Sequence, residues 1–136
     1  MSALTQDRNT PYRSGAIRTP GVAAGVKIYA GALVMATATG FARPGGVATT
    51  LKPLGRAEEQ VDNSAGADGD VIVPVSVGIF RFGNSAAADA ITAADIGSNC
   101  YAVDDQTVAK TNGSATRSVA GVIWDVDDLG VWVKIG

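Results

Sequence analysis

The sequence predicts an all-β chain, a small β-barrel or sandwich of short antiparallel strands with an extended N-terminal arm. Three observations carry this expectation. Segments rich in Val and Thr are broken by 17 glycines, the punctuation of short strands and tight turns. Leu, Glu, Lys and Gln, the long side chains that favour helices, are sparse. Over residues 70–82, Val71, Val73, Val75, Val77 and Ile79 recur at every second position and would line one face of an extended strand. At 136 residues, the chain suits one domain. A domain of this size buries roughly two-thirds of its unfolded surface and folds without disulfides.

Residues 1–20 read as the arm. They are polar, hold Pro11 and Pro20, and follow neither a period of 2 nor one of 3.6. Such a segment cannot bury enough apolar surface to order itself alone. Fully extended, it reaches on the order of 65 Å. Residues 21–136 form the single β-rich domain. Runs at 26–29 and 33–37 are strands, Gly40 to Gly46 is a breaker, and 47–51 is a third, edge-like strand. A further strand is expected at 56–61. The stretch 62–70 is a loop whose acids and glycines miss the spacing of a calcium loop.

The strand at 70–82 contains Pro74, which offers no N–H to a ladder. That points to an edge or a bulge, and to an edge covered by another chain. Residues 84–97 hold one helical turn at most, started by Thr92 with Asp95 three residues on and stopped by Gly97. Strands at 100–103 and 106–110 flank a turn at Asp104-Asp105, and Asn112-Gly113 is a strong turn signal. The strand at 118–126 would place Ala120, Val122, Trp124 and Val126 on one face. A turn at 127–130 leads to a last strand with Val131, Val133 and Ile135 on one face.

Composition argues against several chemistries. With no histidine, the commonest general base and metal ligand are missing, and a Ser-His-Asp triad in its usual form is unavailable. One cysteine and no histidine cannot supply a four-ligand zinc site. Cys100 is expected to be a small buried hydrophobe. The acids at 104–105 and at 125, 127 and 128 fall at turns, where Asp bonds to backbone. No glycine cluster matches a phosphate or dinucleotide fingerprint. The sequence therefore predicts neither a catalytic site nor a cofactor or metal. No apolar run is long enough to span a bilayer, and the first residues lack the apolar core of a signal peptide. Synthesis and first use in the cytoplasm of the producing cell are expected.

Charge is unevenly distributed. Residues 1–56 hold seven basic residues against one acid, a balance of +6. Residues 57–136 hold four against twelve, a balance of −8. Either the halves cancel within the fold, or the basic part meets an acidic surface on a partner or neighbouring copy. Direct nucleic-acid binding is not expected, because the basic residues are dispersed and few aromatics are available to stack bases. Arg8, Arg13 and Arg18, with Tyr12 as an anchor, are the candidate contact residues of the arm. Pro74 joins them as a covered edge. Trp124 and Trp132 are expected in the core or, next, in a subunit interface.

The order of segments resembles a known family. The Val-rich run at 70–82 is followed by Ala-Asp-Ala-Ile-Thr-Ala-Ala-Asp-Ile-Gly at 88–97 and Cys-Tyr-Ala-Val-Asp-Asp-Gln-Thr-Val at 100–108. Val-Ala-Gly-Val-Ile-Trp-Asp-Val-Asp-Asp-Leu-Gly-Val-Trp-Val-Lys-Ile follows at 119–135. Gly-Val-Lys-Ile-Tyr-Ala-Gly-Ala-Leu-Val at 25–34 is similar to an early strand pair. Together these resemble the capsid cement, or head decoration, proteins of tailed phages, over residues 21–136. The resemblance implies a viral structural protein, a compact barrel-like body and a homotrimer. It also implies a place on the outer capsid surface, across joints between capsomers of the major capsid protein. The alternative is a virion-surface module that binds host or carbohydrate through loops 40–46 and 62–70.

Overall fold

Short strands separated by glycine, proline and aspartate turns make up nearly all the regular structure. The computed structural model describes residues 2–11, 13 and 15–136. In chain order its strands are β1 (Ile17–Arg18), β2 (Val26–Ile28), β3 (Leu33–Ala36), β4 (Ala42–Pro44), β5 (Lys52–Ala57) and β6 (Val61–Asn63). They continue with β7 (Val75–Ser76), β8 (Gly78–Phe82), β9 (Asn99–Ala102), β10 (Val108–Ala109), β11 (Val119–Asp127) and β12 (Gly130–Ile135). Two single turns of 3₁₀ helix, Ala87–Asp89 and Ala93–Asp95, interrupt them, where the sequence suggested one at most. The Asp95 carboxylate accepts the Thr92 backbone N–H at 2.8 Å, which caps the second turn.

The strands form three antiparallel sheets, none closed into a barrel. One runs β1-β7-β5-β3-β4, the second β10-β9-β11-β12-β8, and the third is the ribbon β2-β6. The first sheet is the middle layer, as β3 shows. All four residues of Leu33-Val34-Met35-Ala36 are buried. Leu33 and Met35 join the core shared with the second sheet, beside Ile123, Val131, Val133 and Ile135. Val34 and Ala36 join the other core, with Ile28, Val73 and Val75. A strand covered on both faces needs an unbroken apolar run rather than alternation. Each buried aliphatic of this size contributes about 1.5–3 kcal/mol.

The run at 70–82 is not one strand. Residues 75–76 belong to the first sheet and 78–82 to the second. The break falls at Gly78, whose φ of +152° is poorly accessible to other residues. The inward face changes there: Val73 and Val75 are buried before the break and Phe82 after it, while Ile79 is exposed. Period-2 alternation holds only within one strand, so the sequence pattern carried the chain through a corner. Pro74 also departs from expectation. It precedes β7, which is paired on both sides, by β1 and by β5. The chain itself covers this site, through Val73 N–H to Pro20 O and Glu58 N–H to Pro74 O.

Residues 47–51 form bends instead of an edge strand. The Ser118 hydroxyl accepts the Leu51 N–H and donates to the Ala48 carbonyl, which supplies partners a ladder would otherwise give. The expected strand at 56–61 is split, with β5 ending at Ala57 and β6 beginning at Val61. The last strand is as predicted, with Val131, Val133 and Ile135 buried. In β11 the register shifts twice, near Gly121 against β9 and near Trp124 against β12. Each bulge adds a residue and moves the inward positions by one. Ala120 and Ile123 therefore point inward, while Val122 and Trp124 point out. Trp124 is thus not a core residue.

Candidate contact surface

The outer face of the second sheet is open. Asn99, Val122, Lys134 and Ile79 stand in one cross-strand row over β9, β11, β12 and β8, and Trp132 stands opposite Arg81 in the next. Such neighbours lie close enough to interact across a sheet. The Lys134 ammonium sits 5.7 Å from the Trp124 ring centroid, and the Arg81 guanidinium 5.4 Å from that of Trp132. Both are within range of a cation–π attraction. Trp124 remains 54% exposed.

A shallow groove of about 640 Å³ lies at the foot of this face. Pro53, Ile96, Val122, Trp124 and Ile135 give it an apolar lining, and Lys134 is its charged member. The ion pairs among the described residues are Arg56–Glu58, Lys110–Asp95 and Arg117–Asp89, so Lys134 has no carboxylate partner there.

The hairpin joining β11 to β12 closes at the opposite end of β12. Asp127 organises it: one carboxylate oxygen accepts the Leu129 and Gly130 N–H groups at 2.8 and 3.0 Å. The other accepts the Trp132 indole N–H at 2.8 Å. The indole bond first, then the backbone bonds, hold this carboxyl below the usual aspartate range. Leu129 is held at the tip of the turn, 73% exposed.

The predicted contact residues divide into three places. Arg8 and Arg13 are exposed in the arm, and Tyr12 lies outside the described residues. Arg18 is exposed on β1 and pairs with Val75, next to the half-buried Pro74. Trp124 and Trp132 share the outer face of the second sheet. Sequence reasoning missed Ile79, Arg81, Val122, Leu129 and Lys134. Arg81 and Lys134 did carry a signal, as the charged members of otherwise apolar strands. Val122 and Ile79 did not, because a bulge and a corner reversed their apparent faces.

The groups considered for chemistry are otherwise engaged. Cys100 is buried, and burial pushes its thiol up to about 12. Asp104 accepts the Gln106 N–H, and Asp125 the Val126 N–H. In the loop at 62–70, Asp62, Asp68 and Asp70 accept the N–H groups of Ser64, Ala24 and Ala67. Among the described residues no three His, Cys, Asp or Glu side chains cluster as metal ligands, and no helix is long and apolar enough to cross a membrane. Comparison of the chain with protein-family models, with curated proteins and with solved structures finds no match.

Proposed function

We propose that this chain is a structural adhesion protein, a cement protein of the tailed-phage kind that binds the outer capsid surface and bridges joints between capsomers. The observation that carries the reading is the pairing of two outward surfaces on one β body. An exposed, basic arm is anchored by β1, and the second sheet presents an open aromatic face. Arg8, Arg13 and Arg18 are exposed, and none of the three ion pairs among the described residues involves the arm, which leaves these arginines able to meet an acidic partner. Trp and Arg are the residues that dominate binding energy at interfaces. The protein would act by adding buried area across a joint, about 800 Å² per partner for a specific contact. Repetition over a symmetric shell makes modest contacts cumulative.

Sedimentation with undecorated heads of the phage that encodes the chain tests this. The full chain is expected to pellet with heads and saturate. Removal of residues 2–15, which leaves β1 in place, is expected to weaken binding at least tenfold. Full-strength binding by the truncated chain would remove the arm from the account. No binding by the full chain would remove the function.

A further inference from the structure

We propose that the β11–β12 hairpin tip of one copy seats Leu129 in the Trp124 groove of a second copy, giving a head-to-tail contact between identical chains. The contact joins an exposed apolar projection to an apolar recess. Leu129 is the projection, and its turn is fixed by three hydrogen bonds to Asp127. A turn whose backbone is held in this way loses little freedom on docking. Leu4, the rival projection at 72% exposure, lies in an arm segment without such bonds and would have to be ordered.

Charge supports the same fit. Asp128 beside Leu129 is exposed, and Lys134 at the groove has no carboxylate partner among the described residues. Geometry then requires two molecules. The groove runs from Trp124, which lies beside Trp132 and Val133, to Ile135 at the far end of β12, so it begins roughly 7–10 Å from Gly130 along the same rigid hairpin. A copy cannot fill its own groove. The two patches differ, so the contact is heterologous, and it closes into a ring or runs on as a chain according to the rotation between copies.

Light scattering of the isolated full chain, without heads, tests the contact independently of capsid binding. The wild type is expected to assemble with rising concentration. Leu129→Asp and Trp124→Ala are each expected to be monomeric, with at least tenfold weaker association. Their 1:1 mixture is expected to form a heterodimer, because one retains an intact groove and the other an intact tip. Asp128→Lys and Lys134→Asp are each expected to weaken assembly, and their combination to restore it. Protection of Cys100 from a thiol reagent reports that every variant is folded. A wild type that stays monomeric, folded tip and groove variants that assemble normally, or loss of assembly on removing residues 2–15 alone would overturn the proposal.

Discussion

Two residues, Cys100 and Gly121, set the sharpest predictions at the residue scale. Cys100 was legible as a buried hydrophobe from its type alone, and burial explains its raised pKa. A thiol that ionises near 9 when exposed and near 12 in the fold adds stability that is complete below pH 9. That stability is lost as pH rises toward 12. The urea midpoint is therefore expected to fall above pH 9, and Cys100→Ala to flatten that fall. Gly121 was not legible as special. A Cβ there would come within 2.5 Å of the Lys134 carbonyl oxygen and 2.7 Å of Val133. Gly121→Ala is expected to destabilise by about 1–3 kcal/mol in urea titration, as overpacking does. An unchanged midpoint would show that the bulge yields.

Among elements, β2, β3, β9 and β12 were readable, whereas β4 was read as part of a breaker at 40–46 and the inward faces of the 70–82 run and of β11 were misassigned. Val131, Val133 and Ile135 alternate through β12 without interruption, so period 2 found their face. Residues 70–82 alternate equally well on paper, yet Gly78 carries the chain from one sheet to another. β11 hid its outer face because two bulges shifted it. Thus the two tryptophans of the candidate surface were named from sequence, but both were expected first in the core, and both stand on the outer face of the second sheet.

The segment around the 3₁₀ turns gives a prediction of its own. Asp89 accepts the Thr111 hydroxyl and the Arg117 guanidinium. The Thr111 bond first, with Arg117 adding to it, lowers its carboxyl below the usual aspartate range. Asp95 is lowered too, chiefly by the Thr92 N–H, with Lys110 adding to it. Depressed carboxyls contribute stability that is present above the ordinary aspartate pKa and lost as pH falls through the folded value. Amide exchange at residues 84–97 is expected to accelerate, beyond its intrinsic pH dependence, as pH drops below about 4. Asp89→Asn is expected to remove much of that extra acid sensitivity, and an unchanged profile would contradict the assignment.

For the whole molecule, β3 is the common wall of two cores, so damage there is felt on both sides. Met35→Ala is expected to cost about 2–5 kcal/mol by urea titration, as large-to-small changes in a packed core do. The all-β class was legible because glycine spacing and β-branched content act locally. The three-layer stacking was not, because it depends on which strands meet across the chain. The central claim is that this body works through its outward surfaces. The most direct measurement is the temperature at which DNA-filled heads lacking the protein release their DNA, taken with and without saturating full chain. The account predicts that added protein pellets with the heads and raises that temperature. Heads that release DNA at the same temperature with the protein bound, or that never bind it, would contradict the account.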